Sequence, residues 1–213
     1  MTGVRLCLAV MVLCSGTIEA QLASGDTDRL AQQRIDIVVR DFDRRGLPTE
    51  LLRAKVAEGK AKGATAPRIA DAVALLAARV DSVARLLAPT VTVPELHAGA
   101  EALAVGVSAP SLRTIRVAAG QRSAEPYFLF VIRLMRRGVT QDQAVRAARA
   151  LIGRQVPANT LLAFADDLAR DVAAGRSPDA ALNDQMTKLV GGFGPATGVG
   201  VGAPGVGSAG GKP

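Results

Sequence analysis

Residues 127–157 read YFLFVIRLMRRGVTQDQAVRAARALIGRQVP. The opening six residues, Tyr127 to Ile132, are apolar on every side, which predicts a helix surrounded by other helices. Arg133, Arg136 and Arg137 then gather at its end, where cations face the carbonyl end of the helix dipole. Gly138-Val139-Thr140 breaks the run, as a left-handed C-cap at glycine would, and a second helix starts behind it. Ala144, Ala147, Ala148, Leu151 and Ile152 lie three and four apart and form one apolar stripe of that helix. Gln155-Val156-Pro157 ends it.

The same phrase recurs outward in both directions: a glycine, an apolar or small residue, then Pro, Thr or Ser. It stands at Gly46-Leu47-Pro48-Thr49, Gly63-Ala64-Thr65 and Gly106-Val107-Ser108, with a weaker copy at Gly175-Arg176-Ser177-Pro178. Pro48, Pro67, Pro89, Pro94, Pro110, Pro126, Pro157 and Pro178 all sit at the edges of apolar-periodic stretches, where proline does least harm to a helix. Between the breaks, Ile35, Val38, Val39 and Phe42 form a stripe, as do Leu161, Phe164, Ala165, Leu168 and Val172. The longest expected helix, 67–88, carries Ile69, Val73, Leu76, Val80, Val83 and Leu87 as a seam for a partner helix. No period-two run is long enough for a strand. Gly46 to Gly63 and Gly138 to Gln155 each span 17 residues, so helix pairs would recur near 34, although the intervals after Gly63 and Gly106 do not keep that period. The expected fold is all-α: an irregular bundle or short array of about eight helices within a domain over 21–190.

Both ends depart from this pattern. Arg5 precedes an eight-residue apolar run, Leu6 to Leu13, and small residues lead to Ala20, the order of a secretory signal. A membrane span needs about 20 apolar residues, so the run is too short for an anchor. A signal peptide over 1–20, cleaved after Ala20, is expected to direct the chain to the periplasm or outside the cell. Cleavage would remove both cysteines, Cys7 and Cys14, leaving no thiol chemistry. From Gly191 ten of 23 residues are glycine, a composition that cannot offset its ordering entropy, so a disordered tail is expected over 191–213.

The chemistry of known site classes is sparse. His97 is the only histidine, too few for a metal centre or a histidine-based triad, and it reads as a surface or capping residue. No phosphate-cradling glycine loop precedes a helix in the required context. Asp166, Asp167 and Asp171 share one helix; Asp166 is placed four residues before Arg170 as an ordinary ion pair, with Asp167 and Asp171 on a solvated face. No cofactor, metal or catalytic residue is assigned, and the chain is not expected to be an enzyme.

Charge is the one asymmetric property. The net charge is +7, yet residues 21–109 carry +1 and 155–213 carry −1. Residues 110–154 hold nine arginines against Glu125 and Asp142, so the whole excess lies there. Arg113, Arg116, Arg133, Arg136, Arg137, Arg146 and Arg149 are the anion-binding candidates, with Arg146 and Arg149 opposite the Ala144–Ile152 stripe and Arg113 and Arg116 likewise one turn apart. Aromatics make up only 3%, which argues against base-stacking recognition of nucleic acid. The reading that follows is a helical interaction or scaffold protein of the cell envelope, its partner another envelope protein or an anionic envelope polymer. Its alternative is a module binding anionic polymers or membrane surfaces through 110–154.

Overall fold

The corner Gly138-Val139-Thr140 shows how the chain is built. Gly138 adopts φ +87°, a region open to glycine and costly for other L-residues. Its N–H donates to the Met135 carbonyl at 3.0 Å, and the N–H of Val139 donates to the Leu134 carbonyl at 3.2 Å. Two carbonyls left over at the helix end are thereby satisfied. Val139 turns inward and is buried. The side chain of Thr140 accepts from the Gln143 N–H while Gln143 reaches back to Thr140, a reciprocal cap that starts the next helix.

The same pair of bonds closes the helices at Gly46, Gly63, Gly106, Gln155 and Gly175, all at positive φ. Every helix-break phrase in the sequence is therefore a corner of one design. Gln155, at φ 55°, is the exception to glycine. Gln155→Gly is expected to stabilise the fold by about 0.5–1 kcal/mol, the αL strain relieved less the extra freedom of glycine in the unfolded chain. Thermal unfolding should show a Tm raised by roughly 1–4 °C; an unchanged or lower Tm would contradict this account of the corner.

The computed structural model describes residues 15–192, and the side chains of residues 25–189. Nine helices span them: α1 Ser15–Arg44, α2 Thr49–Ala61, α3 Ala66–Leu87, α4 Val93–Ala104, α5 Ala109–Ala119, α6 Glu125–Arg136, α7 Gln141–Gly153, α8 Ala158–Ala173 and α9 Pro178–Gly192. No strand occurs among the described residues. The all-α expectation holds, with nine helices where about eight were expected. The 30-residue α1, not the 22-residue α3, is the longest among them. The expected signal peptide and tail lie outside the described residues, apart from Ser15–Ala20 at the start of α1 and Gly191 and Gly192 at the end of α9. No helix among the described residues is long and apolar enough to cross a membrane.

The helices pack as a bundle with a simple order. α1 lies on α3, α3 on α5 and α5 on α7, while α4 lies on α6 and α6 on α8. α3 touches α4, and α6 touches α5 and α7, which joins the two rows; α2 fits against α1 and α3, and α9 closes over α8. Contacts between next-but-one helices advance together along both chains. Tyr127 Oη donates to the Val156 carbonyl, Phe130 packs edge-on against Phe164 and Arg133 pairs with Asp166. Such helices therefore run parallel. Polar partners along these rows are 26 to 37 residues apart, from Arg116–Thr90 to Arg34–Asp71, a range that includes the spacing of 34 suggested by the glycines without keeping to it.

The expected stripes form the core. Phe128, Phe130, Leu134, Leu151 and Leu168 are completely buried. α6 is the central helix, with Tyr127, Phe128, Phe130, Val131 and Ile132 all buried and four helices around it. The α3 seam is buried too, apart from the half-buried Leu76, but it meets α1, α2, α4 and α5 rather than a single partner.

Candidate anion-binding surface

Six of the seven candidate arginines separate into two groups once the helices are packed. Arg116 of α5 turns inward. Its Nη1 donates to the Gly120 carbonyl at 2.5 Å and its Nη2 to the Thr90 carbonyl at 3.2 Å, while its Nε lies 3.7 Å from Glu95 Oε1. Arg133 of α6 pairs with Asp166 of α8 at 3.2 Å, and Arg136 with Glu101 of α4 at 2.6 Å. Arg116, Arg133 and Arg136 are thus spent on contacts between segments. Arg137 is exposed just past the end of α6 and makes no ion pair among the described residues, but it lines neither of the two grooves on the α5–α7 face.

Arg113, Arg146 and Arg149 differ. All three are exposed, and none makes an ion pair or hydrogen bond within the described chain. α5 and α7 pack side by side, which brings Arg113 and Arg149 to one groove of about 560 Å³ that Leu86, Pro110, Val117 and Ala118 also line. A neighbouring depression of about 510 Å³ shares Ala118 and Arg149 and adds Arg146 and Ile152. Neither contains a carboxylate. The sequence pairing of Arg113 with Arg116 does not survive, because α4 presents Glu95 to one of them and nothing acidic to the other.

A second groove, of about 660 Å³, lies between α2, α3, α4 and α6 and contrasts with the first. Two of its three cations have acids beside them, Lys55 with Glu58 and Arg136 with Glu101, while Arg79 has no ion pair among the described residues. The carboxyl of Glu58 is lowered to about 2 by hydrogen bonds from Lys55 and Lys62. His97 stands exposed at this groove. Among the described residues no group of three or more His, Cys, Asp or Glu could hold a metal ion.

The acids of α8 are also taken up, in ways helical spacing did not indicate. Asp166 reaches Arg133 of α6, so Arg170 pairs with Asp167 instead of with Asp166. Asp171 is half-covered by α9, accepting from Gln185 Nε2 at 2.8 Å beside Arg176. These carboxylates do not converge on a shared cleft.

The polar centre that sequence reasoning missed is Glu95. It is buried at 2% exposure. One carboxylate oxygen accepts from the Thr92 N–H at 2.9 Å and the Thr92 hydroxyl at 3.1 Å; the other accepts from the Ala124 N–H at 2.8 Å. The start of α4, the start of α6 and Arg116 of α5 thus share one carboxylate. Burial alone would raise its pKa, but the Ala124 and Thr92 donors and the Arg116 charge outweigh that and hold it below the ordinary value. Thr92-Val93-Pro94-Glu95 spells a capping box, the signal from which half of this role was readable.

No family model, curated protein or solved structure matches the chain. The class that the fold defines is an all-α helical bundle.

Proposed function

We propose that the chain is an exported, non-enzymatic interaction protein of the cell envelope, with its binding surface on α5 and α7. Its partner is an anionic component of the envelope, and the bundle serves to hold Arg113, Arg146 and Arg149 together on one face. The observation that carries this reading is the contrast among the arginines. Three of the candidates are consumed by contacts within the fold, whereas these three stand exposed around grooves without a carboxylate. Unneutralised cations on one face attract anions over distances comparable to the Debye length. The non-enzymatic part rests on the single histidine, the two early cysteines and the dispersed carboxylates. Export rests on Arg5, the 6–13 apolar run and the small residues before Gln21.

Arg146→Gln/Arg149→Gln is expected to elute from a polyphosphate column at clearly lower salt than the parent. Arg133→Gln/Arg136→Gln, with the same change of formal charge, should move less, because Asp166 and Glu101 already neutralise those side chains. Equal shifts for the two pairs would reduce the effect to net charge and defeat the assignment to this face. For export, envelope fractionation with mass spectrometry should recover a chain beginning at Gln21. Recovery in the cytosol with Met1 retained would overturn it.

A further inference from the structure

We infer that the α5–α7 face docks on an anionic bilayer, with Arg113, Arg146 and Arg149 on lipid phosphates and Val117 at the boundary of the acyl chains. The inference rests on the reading of this face as anion-accepting and adds the class of anion. What selects a bilayer is the surface between the arginines. Val117 is 74% exposed, more than any other large apolar side chain among the described residues. It follows Arg113 by one helical turn on α5, so both project from the same side. Leu86, Pro110 and Ala118 extend the apolar strip beside it, and Ala118 continues into the depression that holds Arg146.

A soluble polyanion would engage the arginines and leave this strip in water. The interface of an anionic membrane offers both parts at once: phosphates at the headgroup level and hydrocarbon a few ångströms below. Opposite charge alone holds a protein only weakly at such a surface, and a modest apolar insertion beside it is the usual second component. The second groove differs in charge: Glu58 and Glu101 line it and pair with its Lys55 and Arg136, so of its basic side chains only Arg79 stands without an ion pair among the described residues.

The test uses the full chain with vesicles of phosphatidylglycerol in phosphatidylcholine and with phosphatidylcholine alone. Sedimentation should recover the chain with the anionic vesicles at low salt. Arg146→Gln/Arg149→Gln should weaken that binding roughly 30-fold, the product of two lost cations near an anionic surface. Val117→Asn, which leaves the charge intact, should weaken it about tenfold and leave elution from polyphosphate unchanged. The chain has no tryptophan, so Val117→Trp supplies a single one that can be excited apart from Tyr127; its emission should shift to the blue on anionic vesicles and stay unshifted with polyphosphate. These site-specific readouts separate the face from the apolar run at 6–13. An unshifted Trp emission on anionic vesicles, or Arg146 and Arg149 dependence on polyphosphate alone, would overturn membrane docking while leaving the anion-accepting face in place. Loss of both the vesicle and the polyphosphate dependence would remove the two together.

Discussion

Replacing Phe130 with alanine is expected to cost the fold about 3–5 kcal/mol, the range for deleting a fully buried aromatic ring. Phe130 is completely buried in α6, and its ring meets that of Phe164 in α8 at 5.3 Å between centroids and 65° between planes. Edge-to-face pairs add about 0.5–1.5 kcal/mol to what burial gives. The chain has only five phenylalanines, one tyrosine and no tryptophan, so few other large side chains could move into the space. The rest of the core is mostly Leu, Val, Ile and Ala, which cannot fill a cavity of benzyl size without moving helices. Urea unfolding should show the midpoint lowered with its slope unchanged, and Tm should fall by roughly 6–20 °C. Phe130→Leu retains most of the volume and should cost about 1–1.5 kcal/mol. A loss below about 2 kcal/mol for the alanine variant would mean that α6 is not the centre of the core.

Glu95→Ala should be nearly as damaging, for an electrostatic reason. Removing the carboxylate strands the Ala124 N–H at the start of α6, takes the reciprocal cap from α4 and leaves the mostly buried Arg116 guanidinium without its counter-charge. Breaking a buried ion pair from one side costs about 3–5 kcal/mol. Glu95→Gln keeps the shape and should cost less. It also isolates the pH dependence. The pKa of Glu95 in the folded chain lies below its ordinary 4.5, so the folded state holds the proton less tightly than the unfolded state. Its contribution is therefore fully present above pH 4.5 and is lost as the pH falls through the folded value. The stability difference between the parent and Glu95→Gln should be constant at neutral pH and shrink on acidification. A difference that persisted unchanged to strongly acidic pH would show that the charge of Glu95 carries none of the effect.

Legibility in the sequence followed the range of the interaction. Gly138-Val139-Thr140 could be read because its two closing bonds and its cap all lie within a few residues. The stripes on α3, α7 and α8 could be read because burial repeats with the helical turn. Asp166 could not, because a tertiary partner 33 residues away in α6 displaced the local one. Asp171 could not either, since its cover comes from α9. Glu95 was half legible: the capping box is local, whereas the Ala124 N–H arrives from 29 residues along the chain.

The arginines mark the same division most clearly. Composition alone places nine of them between residues 110 and 154, and helical spacing says which share a face of one helix. Those properties belong to the chain, because they depend on identity and on a repeat of 3.6 residues. Whether a given guanidinium stays available is a property of the fold. Arg113 and Arg116 sit three positions apart on α5, yet one meets solvent and the other meets Glu95. Only the packing of α4, α6 and α8 decides that, since a charge is neutralised by the acid that stands next to it in space, wherever that acid lies in the chain.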